Sequence, residues 1–418
     1  MAKTKVRTGL IAALDVGTTK TVCFIARTGD EGLLRVQGIG HQISRGIRAG
    51  AVVDMDEAEH AIRTTVEAAE SMMDERISEV IVNLSGGQPL SRIVHVENVI
   101  NGHEIGETDI RRMQDLARQH YTLPDRDLVH ALTLDYSVDD NRFIRDPRGM
   151  FGERLGLSVH MIHAASGPVR NLRTVINRCH LDIEARVVSS FASALACLVE
   201  DEKHLGVTCI DMGGGTTSIA VFSEGQLRHT GIIPVGGQHV TSDIARCLST
   251  PITSAERIKT LYGSATPSPS DEREILKIPL VGEDEDHGAN LNQIPQSVLC
   301  QIIQPRLEET FEMVRNHLND AGVASLAGRR VVLTGGASQM QGIRDLAALV
   351  LDKQVRLGRP VGYQGLAEAT HGPAFSTCAG LLRYGLLSQT DFQPGAGHGK
   401  GSGLNPFAKI GQWFKQNF

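Results

Sequence analysis

The alternation of apolar and polar positions divides the chain into two halves that open in the same way. Residues 9–43 carry three apolar runs, GLIAALDVG, KTVCFIARTG and LLRVQGIGHQI. A tight Gly/Thr turn joins the first two, and together they predict three consecutive strands. Residues 54–74 change to a helical period. Ala58, Ile62, Val66, Ala69 and Met73 form one stripe, and Asp54 with Glu57 three positions later has the spacing of a capping box. EVIVNLSGG (79–87) returns to strand. From residue 207 the opening repeats: VTCIDMGGG, TTSIAVFSEGQ and LRHTGIIPVGG predict strand, Gly/Thr turn, strand, turn, strand. The internal match is LDVGTTK (14–20) against IDMGGGTTS (210–218).

Between these openings, residues 89–160 follow another pattern. A strand (RIVHVENVI), a helix begun by Thr108–Asp109, a strand (LVHALTLDYSV) and a charged loop (DDNRFIRDPRGMFGERLG) predict a small α+β unit inserted into the first half. VHMIHAA, a helix over 167–180, EARVVSS and a helix over 191–200 then resume the α/β alternation. After the repeat come helices at 238–248 and 253–262, and a Pro-, Ser- and acid-rich stretch (264–290) that reads as a long mobile loop. A helix over about 293–320 places Ile294, Val298, Ile302, Leu307, Phe311, Val314 and Leu318 on one face, with Pro305 to kink it. RRVVLTGGASQMQGIRDLAALVLD reads as strand, Gly turn, helix. A last helix (374–388) leads into a Gly-rich linker. The class is α/β, in two domains.

Composition narrows the function. The chain has 418 residues, enough for two cores, and is 41% hydrophobic and 22% charged, as soluble proteins are. A net charge of −6 leaves no basic footprint, so nucleic acid is not an expected partner. The seven cysteines form no CxxC, which argues against a zinc site or a disulfide framework and suits a reducing cytosol. MAKTKVRTG has no apolar region behind it, so no signal peptide is expected, and no run approaches the roughly twenty apolar residues of a membrane span.

A single DVGTTK is explained by turn chemistry, with Gly for positive φ and Asp to cap. Two such hairpins one domain apart call for more. Phosphates need several backbone N–H groups aimed at one oxygen cluster. Gly17, Thr18 and Thr19 on one side, with Gly213, Gly214, Gly215, Thr216 and Thr217 on the other, supply them across a cleft. Asp15 and Asp211, at the strand ends, suit a hydrated Mg²⁺ bridging a nucleotide's phosphates. Lys20 adds a point charge to a phosphate, or is a solvated hairpin residue. LTGGAS (333–338), with Gly335, Gly336 and Ala337, is a flat floor for adenosine or an ordinary turn. Glu256 and Lys259, three apart on a helix, bind ribose hydroxyls or form a surface pair.

These segments resemble the actin-like ATPase superfamily, and RHTGIIPVGGQHVTSDIA (228–245), SRGIRAGAVVD (44–54) and IRDPRGMFGERLGLSVHMIH (144–163) resemble its FtsA family of bacterial cell-division proteins. The resemblance covers nearly the whole chain. It implies the actin-like fold, two domains flanking a cleft for ATP and Mg²⁺. The implied subdomains are 1A over 8–86 and 164–204, an inserted 1C over 87–163 used in filament contacts, 2A over 205–240 and 323–388, and 2B over 241–322. A linker over 389–403 and a membrane-targeting amphipathic helix over 404–418 complete it. It implies self-association, other division partners, and a 2B face for the C-terminal peptide of the tubulin-like protein FtsZ. Arg306 falls at a groove arginine with Glu309 beside it, and Asn292 stands at another, usually basic, groove position. It places the protein on the cytoplasmic face of the inner membrane at the septum. The stretch VVSSFASALA (187–196) lacks the Glu or Gln that orients water in efficient relatives, so hydrolysis is expected to be slow.

On a helical wheel of 404–418, Leu404, Phe407, Ile410, Phe414 and Phe418 share a face with Trp413 at its edge. Lys409, Gln412, Lys415 and Gln416 face away, and no acid follows Asp391. This is the pattern of an interfacial helix, with docking on the protein's own core as the alternative. Three other functions compete. A kinase of the same fold needs an acceptor site and a catalytic Asp. A chaperone needs a substrate domain after residue 388. An actin-like pilus-assembly protein related to FtsA is the nearest rival.

Overall fold

The computed structural model describes residues 9–29, 33–282 and 292–387. The first half opens with β1 (Leu10–Val16), β2 (Lys20–Thr28) and β3 (Leu34–Ile43). A short hairpin, β4 (Ile47–Arg48) and β5 (Ala51–Val52), precedes α1 (Met55–Ser71) and β6 (Glu79–Leu84). The inserted unit is β7 (Leu90–Val99), α2 (Glu107–His120), β8 (Arg126–Val138), β9 (Asn141–Ile144) and β10 (Arg154–Ala165). The first half closes with α3 (Ser166–Arg178), β11 (Asp182–Val188), α4 (Ser189–Cys197) and α5 (Glu200–Leu205).

The second half contains β12 (Val207–Met212), β13 (Thr217–Ser223), β14 (Gln226–Ile233), α6 (Gly237–Leu248), α7 (Ile252–Tyr262), β15 (Ile275–Ile278), β16 (Asn292–Pro295) and α8 (Gln296–Asp320). It ends with β17 (Arg330–Thr334), α9 (Ile343–Leu351), β18 (Gln354–Leu357), β19 (Tyr363–Gln364) and α10 (Ser376–Leu387).

The internal repeat is a repeat of topology. The first sheet runs β11-β6-β1-β2-β3 and the second β18-β17-β12-β13-β14, with β19 added beside β3. In each, an antiparallel three-strand meander continues into two parallel strands. Register makes the two hairpins equivalent: Val16 pairs with Thr21 and Met212 with Thr217, which puts Asp15 and Asp211 each one residue before a strand end. Buried side chains of β1, β2, β6, α1, α3, α4 and α10 make one core, and α6, α8 and α9 pack on the second sheet in another. The insert has its own core, including Ile105, Met113, Leu155 and Met161.

Several expectations are corrected. VHMIHAA does not resume the main sheet. It is the end of β10, the strand paired with both β7 and β8 in the insert. The charged loop after residue 138 contains β9, an edge strand whose partner β8 supplies the pairing that its own polar sequence does not announce. Helix α2 begins at Glu107, before Thr108, because Asp109 Oδ2 accepts from Gly106 N at 2.9 Å and closes the first turn. Asp54 caps α1 through its carboxylate, accepting from Asp56 N and Glu57 N at 3.1 Å each. Its own N–H goes to the Gly46 carbonyl at 3.1 Å, so the box is half formed. Within 264–290, Ile275–Ile278 is a strand paired with β16, which takes the first residues expected of the long helix. Pro305 lies inside α8.

Candidate functional site

The two Gly/Thr hairpins meet. Together with the ends of β6, β11 and β17 and the start of α10 they enclose a cavity of ≈180 Å³. Asp15, Gly17, Thr18, Thr19, Lys20, Asp211, Gly213, Gly214, Thr216, Gly335 and Gly336 line it. Gly17 N bonds to Lys20 O at 3.0 Å and Gly213 N to Thr216 O at 2.9 Å, so each loop is braced by one cross-bond. A β-carbon on Gly214 would overlap the Thr19 side chain, and one on Gly215 would come within 2.7 Å of Thr18 Oγ1. The loops therefore touch through glycine, which is where the sequence needs a residue without a side chain.

Burial dominates the electrostatics. Asp15 is pushed up to about 7 by burial, against the pull of Lys20 and with a further push from Asp211. No hydrogen bond reaches its carboxylate among the described residues. Burial also raises Asp211, although Ser193 Oγ and Thr377 Oγ1 both donate to its Oδ2, the latter at 2.9 Å. Lys20 is lowered by burial, which outweighs the two aspartates. Its Nζ donates to the Ala374 carbonyl and stands 3.9 Å from the centre of the Phe375 ring. It is not a solvated hairpin residue.

The other predicted residues lie outside the cavity wall. Thr217 is buried, its hydroxyl donating to Val235 O at 2.8 Å, and Gly215 backs onto Thr18. Lys259 Nζ bonds to Gly237 O at 3.2 Å, Thr241 Oγ1 at 2.8 Å and Glu256 Oε2 at 2.7 Å. A β-carbon on Gly237 would meet Ala337 at 3.2 Å, so Glu256, Lys259 and Ala337 cluster beside the start of α6, next to the second hairpin. Arg306, not a lining residue of the cavity, clasps Asp243 of α6 at 2.5 and 3.3 Å and also pairs with Glu309. Phe407, Ile410, Trp413, Phe414, Lys415 and Phe418 lie outside the described residues.

The structure adds Asn83, Ser85, Ser189, Ser218, Ala374 and Thr377 to the lining. Asn83 Oδ1 accepts from Val16 N at 2.7 Å, and its Nδ2 donates to Ser85 Oγ at 3.0 Å and Ser189 Oγ at 3.2 Å. A lone amide inside the apolar run EVIVNL was a readable signal. Thr377 carried none.

Two family profiles match the chain: "Cell division protein FtsA" over residues 208–380 and "SHS2 domain inserted in FTSA" over 86–163. The cell-division protein FtsA of Agrobacterium fabrum is 41% identical over 427 residues, 99% of this chain and 96% of that protein. The chain belongs to the FtsA family. FtsA of Pseudomonas aeruginosa is 36% identical over 91% of this chain and 90% of its own, and FtsA of Escherichia coli K12 32% over 91% of each. The fold is actin-like, with the FtsA insertion. A chain of a PilM–PilN type IV pilus biogenesis complex superposes with a TM-score of 0.65 at 16% identity, covering 90% of this chain and 98% of that one. MreB5 of Spiroplasma citri, bound to ADP, superposes with a TM-score of 0.51 at 15% identity, covering 90% and 95%. These two likenesses concern the fold alone. Identities of 32–41% to FtsA proteins over nearly the whole chain separate it from the pilus, kinase and chaperone alternatives. Among the described residues, no helix is long and apolar enough to cross a membrane.

Proposed function

We propose that this FtsA-family chain binds ATP as its magnesium complex between the two halves, assembles into filaments, and holds FtsZ at the membrane during septum formation. The observation that carries the nucleotide part is the meeting of two topologically equivalent hairpins, each with its Asp one residue before the strand end, on one cavity. Their N–H groups and the Thr18, Thr19 and Thr216 hydroxyls bind phosphate oxygens, with Lys20 as counter-charge. The residues fit a hydrated Mg²⁺. Asp15 is a buried carboxylate that receives no hydrogen bond among the described residues, and Asp211 keeps Oδ1 outside its hydroxyl contacts. These two would hold the ion through its waters, and the ion would supply neutralisation of phosphate charge. Gly335, Gly336, Ala337, Glu256 and Lys259 serve the nucleoside end.

The subdomain division 1A, 1C, 2A and 2B goes with this reading. The FtsZ peptide is assigned to the face around Arg306 and Glu309, where its carboxylates would have to compete with Asp243 for the guanidinium. The membrane contact is assigned to the apolar and basic positions of 404–418, a weak anchor alone and a strong one when a filament presents many. Titration with a fluorescent ATP analogue, with Mg²⁺ and with EDTA, tests the first part: no saturable binding sinks it. Liposome co-sedimentation of the full chain against a truncation ending at Ser402 tests the anchor, which fails if both pellet equally.

A further inference from the structure

The chain leaves the first half through α4 and α5, touches it again at β19 beside β3, and then lays α10 across α4. α10 then packs on α4, β1 and β6 of the first half. Its first two residues are instead fastened to the second half. Ser376 Oγ lies 2.7 Å from Thr334 Oγ1 at the end of β17 and 3.2 Å from Cys197 Sγ of α4. Thr377 Oγ1 donates to Asp211 Oδ2 at the end of β12, and Ser193 of α4 donates to the same oxygen. The two hydroxyls are also 2.9 Å from each other, closing a triangle. All three residues are buried.

One carboxylate oxygen of Asp211 is thus held by both crossing helices. The other stands against Gly335, a lining residue at φ +88° whose β-carbon it would overlap. The cavity is small as well. At ≈180 Å³ it falls below the roughly 300–1,000 Å³ of ligand sites, and the two hairpins touch, so a nucleotide can enter only if the halves part. Parting them swings β12 and β17 relative to α4 and α10, and the Ser193–Asp211–Thr377 triangle spans that joint.

We propose that Ser193 and Thr377 are positioning residues that fasten Asp211 to the two crossing helices, so that a magnesium nucleotide bound at Asp211 fixes the angle between the halves. The inference rests on the proposed nucleotide site. Two hydroxyls on one oxygen aim the carboxylate and leave its second oxygen for the hydrated ion. The same two bonds carry a shift of Asp211 into α4 and α10, the packed elements that must move for the halves to rotate.

The test uses the full chain and three variants: Thr377→Val, which keeps the shape and removes the oxygen; Thr377→Ser, which keeps the oxygen; and Ser193→Ala. The fluorescent ATP analogue is titrated with Mg²⁺ and with EDTA, and amide exchange is followed over 189–197 and 376–387. In the wild type, Mg²⁺ tightens binding, and the magnesium nucleotide slows exchange in both segments. Ser193→Ala, outside the cavity wall, is expected to bind in EDTA as the wild type does, and Thr377→Val, at a lining residue, is read by the ratio of its Mg²⁺ to its EDTA affinity. They should lose roughly tenfold of the Mg²⁺ enhancement, the scale of one hydrogen bond to a charged group, and at least half of the exchange protection. Thr377→Ser should restore both. If Thr377→Val does not fold, Ser193→Ala carries the test alone, with the same two readouts. Wild-type enhancement and protection in the hydroxyl-deleted variants, or a Thr377→Ser that behaves as Thr377→Val, would overturn the inference while leaving the nucleotide site intact. A wild type that binds no nucleotide overturns both.

Discussion

Gly380 of α10 crosses α4 so closely that a β-carbon on it would overlap the Ala192 carbonyl oxygen. The approach is of backbone to backbone, so no rotamer change relieves it. Gly380→Ala must push the two crossing helices apart at the point where the halves join. It is expected to cost about 3 kcal/mol or more, at the upper end of overpacking. Urea unfolding checks this, and a wild-type midpoint for Gly380→Ala would show that the helices cross less tightly than described.

Lys20 is the cation between Asp15 and Asp211, and its Nζ already rests on the Ala374 carbonyl. Lys20→Met keeps the length of the stem and removes the charge. Affinity for the fluorescent ATP analogue should fall by at least about tenfold, the loss of one charge-assisted contact. An unchanged affinity would mean that Lys20 serves only to balance the two aspartates.

The parts of the site that were legible in the sequence are those whose chemistry is local. The Asp-x-Gly-Thr hairpins announce themselves twice because each ends a strand and, within the same few residues, needs glycine for close approach rather than for positive φ: a β-carbon on Gly17 would lie 2.8 Å from Lys20 O and one on Gly213 3.1 Å from Thr216 O. What was not legible is brought in from a distance. Ser189, Ser193 and Thr377 are polar residues whose partners lie 18 to 184 positions away, and no local pattern marks them as neighbours, while Asn83 stands out in its apolar strand without announcing Ser189 as a partner. The same holds for β9. Asn-Arg-Phe-Ile reads as loop until β8 lies beside it.

His160 shows how the insert is attached. It is fully buried, and its ring lies between Ser91 Oγ of β7 at 2.6 Å on Nε2 and the Leu227 carbonyl of β14 at 2.9 Å on Nδ1. Nδ1–H therefore donates and Nε2 accepts, which is the neutral form. Burial lowers the group from 6.5 to about 3, and the neighbouring charges His229, His130 and Arg228 push the same way. The unfolded chain takes up a proton near pH 6.5 that the folded chain refuses. The contribution of His160 is thus complete above pH 6.5 and declines as pH falls toward 3, by roughly 1.4 kcal/mol per unit. His229, lowered to about 4 by burial and further by His317, adds to the slope. His160→Gln should flatten the fall in the urea midpoint between pH 6.5 and 5 by about one proton's worth. A variant with the wild-type slope would place the proton elsewhere.

Trp413 is the chain's one tryptophan, in a stretch where no acid follows Asp391. If the 404–418 pattern faces lipid, Trp413→Glu puts a charge at the edge of the apolar face. It should move the protein from the liposome pellet to the supernatant on vesicles with anionic lipid. Equal pelleting of Trp413→Glu and wild type counts against lipid as the partner of that face.

The lining also bears on turnover. An efficient phosphohydrolase holds a carboxylate or amide free to orient the attacking water. Asp15 and Asp211 are the acids on the described cavity wall. Asp211 has one oxygen committed to Ser193 and Thr377, and its other oxygen and the Asp15 carboxylate are the groups assigned to the hydrated magnesium ion. Asn83 has the amide, but its oxygen is spent on Val16 N and its nitrogen on Ser85 and Ser189. Ser189, in the stretch where the Glu or Gln is missing, is itself the acceptor of that nitrogen. Hydrolysis should therefore run on the order of 10⁻² s⁻¹ or slower, far below the roughly 1–100 s⁻¹ of kinases. Single-turnover measurement with radiolabelled ATP decides it. A rate near 1 s⁻¹ would require a water-orienting group that only an opened or assembled state brings to the phosphates, and the expectation of slow hydrolysis would have to be abandoned.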